Sequence, residues 1–215
     1  MHSIRPRKLD SLAYLTLIIS VAVLTSCATP GSGFSERGVQ YAKAGQPEQA
    51  LDMFSKAIAL NPNVAMYFMN RGLTYQTLKQ PQRAMNDYNQ AVNLDPSYAL
   101  AYANRGNLYD DLGELDRALS DYGQAIQLAP RHPFAYRNRG VAYLHKKEYE
   151  RALTDLNQAI ELAPNYIAAY TTRRCVYTAL NRSDEAEADR RKVVDLGRGY
   201  PAISLDKMLT CPQSK

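Results

Sequence analysis

The chain has 215 residues, of which 46% are apolar, 22% charged and 9% aromatic, a balance that fits a globular fold and excludes a disordered or collagen-like chain. Three Cys and three His are too few for a multi-cysteine zinc module or a disulfide-dense scaffold, and leave little for nucleophilic or metal chemistry. The formal charge is +5, but removing Arg5, Arg7 and Lys8 with Asp10 lowers it by 2 to +3. The remaining Lys and Arg are interspersed with acids, which argues against the clustered basic face that nucleic acid requires. There are 16 Tyr against 4 Phe and no Trp, so one aromatic slot is used repeatedly.

At the start of the chain, Arg5, Arg7 and Lys8 precede the apolar run from Leu12 to Leu24, which ends in Thr25, Ser26 and Cys27. A basic start, an apolar middle and a small-residue end predict an export signal over 1–26. The run is shorter than the roughly 20 residues that span a bilayer as a helix. Leu24-Thr25-Ser26-Cys27 resembles the lipobox of bacterial lipoproteins. That resemblance implies removal of 1–26, acylation of Cys27 with palmitate among its chains, and a tether over 27–30. Each buried methylene contributes about 0.8 kcal/mol, so two or more chains anchor stably where one is marginal. Ala28 in place of Asp after the Cys implies sorting to the outer membrane, facing the periplasm. The alternative is an ordinary secreted protein with a Cys near its cleavage site.

Beyond the tether one period fills the chain. Gly38, Gly72, Gly106 and Gly140 stand 34 residues apart, as do Tyr41, Tyr75, Tyr109, Tyr143 and Tyr177. Ala50, Ala84, Ala118, Ala152 and Ala186 keep the same step, and so do Pro62, Pro96, Pro130 and Pro164. Within 65–79, Phe68, Gly72 and Tyr75 share one helix face, where Gly72 lets a second helix approach; Ala84, Tyr88 and Ala91 do the same on that partner. Asp95-Pro96 ends the second helix, and Pro47 and Pro81 fit first turns.

The period and residue types resemble the tetratricopeptide repeat, a helix-turn-helix unit. The resemblance implies an all-α fold, a right-handed superhelical solenoid of five repeats: 31–64, 65–98, 99–132, 133–166 and a degenerate 167–200. Such units bury their apolar faces by stacking, so the ends need caps. In the fifth unit Arg174 takes the small-residue place, Arg190 the aromatic and Gly197-Arg198 the proline. Residues 201–215 are expected to supply a cap and tail, with a short helix from Ile203 to Leu209 that covers the edge through Leu205, Met208 and Leu209.

In this family the first helices line a concave groove into which their sixth residue points. Here that residue is Asn70, Asn104 and Asn138. The spacing resembles an asparagine ladder that grips an extended peptide: a carboxamide donates and accepts, so it pairs with a peptide unit without reading its side chain. The alternative is a solvated Asn in a common variant of the repeat. Met66, Met69, Leu73, Leu100, Asn107, Phe134, Arg137 and Val141 are expected to share the groove, with Asp110, Asp111, Leu144 and His145 beside them. The family's lysine clamp for chaperone C-termini is not carried over, because Met66, Leu100 and Phe134 stand at one of its positions.

Arg71, Arg105, Arg139 and Arg173 each lie sixteen residues before Asp87, Asp121, Asp155 and Asp189. The matched recurrence predicts structural ion pairs over the alternative of an anion track. Repeat one has Met53 in place of the Asp, which leaves Arg37 the freest of the series.

No site chemistry is legible. Asp110, Asp111 and Glu114 read as a solvated face rather than a cation site; His132 and His145 lack a neighbouring nucleophile or ligand spacing, and there is no phosphate loop. No metal, cofactor or catalytic residue is expected. Cys175 and Cys211 remain after Cys27 and would close as a disulfide in an oxidising compartment, stapling the cap to the degenerate repeat, or Cys175 is a buried thiol. The whole reads as a lipid-anchored adaptor of the bacterial cell envelope that binds protein partners or extended peptides and no nucleic acid. The alternative is a component that self-associates by stacking solenoid ends into a homo-oligomer; an enzyme or small-molecule binder ranks below both.

Overall fold

The computed structural model describes residues 29–198 and 209–212. The export signal, Cys27 and the expected capping residues Ile203 to Met208 lie outside them. Among the described residues the chain forms ten α-helices and no strand. They are α1 Ser32–Lys43, α2 Pro47–Leu60, α3 Ala65–Thr77, α4 Pro81–Leu94, α5 Ala99–Asp111, α6 Leu115–Leu128, α7 Pro133–His145, α8 Tyr149–Leu162, α9 Ile167–Ala179 and α10 Ser183–Gly197. Pro47, Pro81 and Pro133 occupy first turns, where the missing N–H would be unpaired anyway.

The turn inside each pair is stereotyped. Gly45, Lys79, Gly113, Lys147 and Asn181 all have φ between 56° and 76°. The next residue donates its N–H back to a tyrosine carbonyl: Gln46 to Tyr41, Gln80 to Tyr75, Glu114 to Tyr109, Glu148 to Tyr143 and Arg182 to Tyr177, all at 2.8–2.9 Å. A left-handed residue followed by a bond five residues back closes a helix with few orphan carbonyls. The same closure is kept where the turn glycine is replaced by Lys79, Lys147 or Asn181.

Each pair packs face to face, and each second helix also meets the next first helix. Neighbouring first helices α1, α3, α5, α7 and α9 touch one another, whereas neighbouring second helices do not. First helices therefore lie on the inner radius of a superhelical solenoid and second helices on the outer. Inside each pair, a Cβ added at Gly38, Gly72, Gly106 or Gly140 would meet Phe54, Tyr88, Tyr122 or Leu156 at 2.6–2.9 Å. Tyr88, Tyr122, Phe54 and Leu156 are fully buried there, beside Ala50, Ala84, Ala118 and Ala152.

The last pair is built differently. Arg190 is exposed and pairs with Glu187, and Arg174 turns to the C-terminal segment. Cys175 on α9 is bonded to Cys211, with S–S 2.07 Å. Leu209 packs on Tyr170 and Val193, with Ile167 and Leu196 alongside.

Candidate functional site

Met66, Leu100 and Phe134 open the three middle first helices and are 45%, 43% and 52% exposed, and Leu73, further along α3, is 47% exposed. They form an apolar row on the first-helix side. Phe134 stacks edge-on against Tyr166 at 4.8 Å and lies 5.3 Å from His132. Met69 and Val141 are buried, at 8% and 6% exposed, and Val141 borders a small cavity with Asn107, Arg137 and Asn138. Met69 packs with Phe68, Val92 and Ala101, because it faces the next first helix rather than the open groove.

The three carboxamides have unlike surroundings. Asn70 lines a cavity of about 540 Å³ together with Val39, Lys43, Phe54, Leu73 and Thr77. The Asn104 amide nitrogen lies 3.5 Å from the Met69 sulfur. Asn138 donates to Asn107 at 2.8 Å and accepts from Arg137 at 3.2 Å, and Tyr122 also donates to Asn107 at 2.8 Å. Asn70 thus borders a largely apolar opening, while Asn138 is already engaged in a polar cluster around a smaller cavity of about 170 Å³.

Asp110 departs from the solvated-face reading. His145 Nδ1 lies 2.9 Å from Asp110 Oδ1 with both side chains largely buried, and Gln76 donates to Asp111 at 3.0 Å while accepting from Tyr88 at 2.9 Å. Asp110 and His145 are 35 residues apart, one repeat plus one residue, so they occupy adjacent positions on successive first helices. That offset was the available signal, and single-repeat patterning missed it.

The arginine series lies between the helices. Arg71, Arg105, Arg139 and Arg173 each hold Asp87, Asp121, Asp155 and Asp189 through two hydrogen bonds of 2.6–2.8 Å. This planar two-point contact suits a guanidinium. The bond to the carboxylate raises the Arg71, Arg105 and Arg139 guanidinium pKa values above their ordinary range. For Arg173 burial opposes the charge most, and the Asp189 bond and charge overcome it. A third bond reaches back to the preceding second helix: Arg71 to Ser55 at 3.3 Å, Arg105 to Asn89 at 2.9 Å and Arg173 to Asn157 at 2.7 Å. Arg139 faces Gly123 at that place. Arg37 lines a cavity of about 470 Å³ at the N-terminal end with Phe34 and Leu60. These guanidiniums serve as ties between helices, each pairing with a carboxylate of its own repeat.

Among the described residues no group of three or more His, Cys, Asp and Glu is placed to hold a metal ion. No helix among them is long and apolar enough to cross a membrane.

Helix pairs at a fixed step, inner first helices and a recurring small-residue contact define a helical repeat scaffold. Models of the tetratricopeptide repeat match residues 32–64 and 103–167, and a TPR repeat model matches 80–113. The chain belongs to the tetratricopeptide repeat family. No curated protein sequence matches it. Among solved structures it is similar to MamA at 23% identity and a TM-score of 0.66, covering 77% of this chain and 97% of that one. PilF of Pseudomonas aeruginosa is 20% identical with a TM-score of 0.73, covering 78% and 76%. PilW is 18% identical with a TM-score of 0.74, covering 78% of both chains. All three share the fold.

Proposed function

We propose that this protein is a non-catalytic adaptor, lipid-anchored at Cys27 in the bacterial cell envelope, that holds a protein partner through an extended segment laid along its first helices. The observation that carries the reading is the exposed row of Met66, Leu100 and Phe134, one per repeat, beside Asn70 and Asn104. Apolar contacts would supply affinity and the carboxamides would hold the partner's backbone, a division suited to peptide recognition. Envelope placement rests on the basic start, apolar run and Cys27 of the sequence. PilW, a type IV pilus biogenesis factor by its description, is built on the same fold, which accords with work at the envelope.

Two measurements test this. Growth with labelled palmitate should label the wild-type chain and leave Cys27→Ser unlabelled; equal labelling removes the anchor. Crosslinking from a photoreactive residue at position 66, 100 or 134 in cells should trap the same partner at all three. Met66→Glu/Phe134→Glu, with unchanged helicity, should lose it. A partner trapped equally by that variant binds another face, and crosslinks only to further copies of this chain would favour the self-associating reading.

A further inference from the structure

Arg174 stands at the position held by glycine in the four preceding repeats, and among the described residues no carboxylate pairs with it. Its Nε is buried without a hydrogen-bond partner. Its Nη2 donates to the Leu209 carbonyl and lies 3.5 Å from Cys211 Sγ and 3.7 Å from Cys175 Sγ. A half-buried guanidinium that meets no counter-charge among the described residues carries a desolvation cost. A neutral disulfide offers it little, whereas a thiolate at either sulfur would neutralise it, and neighbouring cations favour the thiolate. Stabilising the reduced, ionised form is what makes a disulfide easy to reduce.

The segment that this bond holds has a defined position. Leu209 rests on Tyr170 and Val193, next to Leu196. Three repeats earlier, at the equivalent positions Phe68, Ala91 and Leu94, the cluster is completed by Ala101 and Tyr102 of the following first helix. Leu209 therefore occupies the edge where another first helix would dock, with Cys211 bonded to α9 beside it.

We propose that Cys175–Cys211 is a redox-active disulfide that exchanges with a dithiol reductant, and that its reduction releases the 209–212 strap from the edge of α9 and α10. Cys175 is buried and Cys211 only partly so, so the incoming thiolate attacks Cys211 Sγ. The Sγ–Sγ bond breaks, and its electron pair leaves on Cys175 Sγ as a thiolate beside Arg174. The second thiolate of the dithiol then displaces Cys211 from the mixed disulfide. The dithiol ends as its own disulfide and both cysteines are reduced. Of the two protons the dithiol gives up, one goes to Cys211 and one to solvent.

The test equilibrates the full chain in detergent with glutathione and dithiothreitol redox buffers and reads the bridged fraction by thiol alkylation and mass. Arg174→Gln should shift the equilibrium about tenfold toward the disulfide, about 30 mV, with Arg174→Lys in between. In a Cys211→Ser background, alkylation of Cys175 should titrate below the free-thiol value of about 8.5 and rise with Arg174→Gln. Hydrogen exchange of α9 and α10 should accelerate on reduction while total helicity holds. A bridge equally reducible in wild type and Arg174→Gln, or an unshifted Cys175 titration, overturns the redox role. Unchanged exchange after reduction overturns the release of the strap.

Discussion

Removing Asp155 should destabilise the solenoid more than removing Asp121, although the two ion pairs have almost the same geometry. Asp121 accepts from Arg105 at 2.7 and 2.8 Å, and Asp155 from Arg139 at 2.7 and 2.8 Å. Breaking a buried pair costs about 3–5 kcal/mol, because the surviving charge is uncompensated. The guanidinium side chains are 17% and 24% exposed, so water recovers part of that, and about 2–3 kcal/mol is expected for Asp121→Ala. Arg105 then keeps Asn89 at 2.9 Å, whereas Arg139 faces Gly123. The Asn89 bond can strengthen once Asp121 is gone, whereas Arg139 has no such partner, so Asp155→Ala should cost up to about 1 kcal/mol more. Urea unfolding followed by far-ultraviolet circular dichroism measures both, fitted as coupled repeats rather than as one two-state unit. The double change Arg139→Met/Asp155→Leu is the control and should fall within about 1 kcal/mol of wild type, since an apolar pair of similar volume leaves no charge stranded. An Asp155→Ala cost below about 1 kcal/mol, or a double variant as unstable as the single, would refute a penalty that comes from the orphaned guanidinium.

Three further outcomes are expected. Gly106→Ala places a Cβ 2.8 Å from the Tyr122 ring, and the overpacking should outweigh the gain in helix propensity, for a net loss of about 1–2 kcal/mol in the same urea assay. Gly123→Asn has nothing within 4 Å of the added Cβ and offers Arg139 the acceptor that Asn89 gives Arg105, so it should stabilise by about 0.5–1.5 kcal/mol; a loss would show that the carboxamide does not reach. Burial first, then nearby acidic charge, raises the Tyr88 and Tyr122 phenols well above their ordinary value. The unfolded chain loses those protons above a pH of about 10 while the folded chain keeps them, so stability is full below that pH and falls as pH rises beyond it. Tyrosinate absorbance of these two rings should appear only together with loss of helix, and ionisation inside an intact helical signal would contradict their burial.

Much of the architecture was legible because one physical constraint recurs in every repeat. Gly72 had to be small for Tyr88 to enter, and the step of 34 from Gly38 to Gly140 gave the pair geometry without any tertiary information. The ties from Arg71 to Asp87 and from Arg105 to Asp121 could be read for the same reason: both partners repeat in phase. What could not be read comes from contacts that break the phase. Asp110 meets His145 at one repeat plus one residue, and Asn138 meets Asn107 across successive first helices. Each depends on the inter-repeat twist, which no single repeat encodes. The place of Met69 on a first helix points to the groove, but the next first helix packs on the same side. The twist turns Met69 toward Ala101 and leaves Met66 open.

The same geometry separates what holds the solenoid from what can vary on it. The glycine and aromatic contacts, the arginine and aspartate ties and the left-handed turns all lie between helices. They recur because every repeat must solve the same stacking problem. The exposed first-helix positions carry no such constraint, and there the repeats diverge: Asn70 and Leu73 border an apolar cavity, while Asn107 and Asn138 belong to a polar one. A partner laid along the groove would meet the apolar row throughout and the Asn107 and Asn138 cluster only in its second half, and that difference would set its direction. The groove's length is set separately, at its C-terminal edge. There the repeated glycine gives way to Arg174, and the 209–212 segment is bonded covalently to the stack through Cys211. A scaffold stabilised between its helices can have its end opened or closed at that bond without disturbing the repeats that carry the binding face.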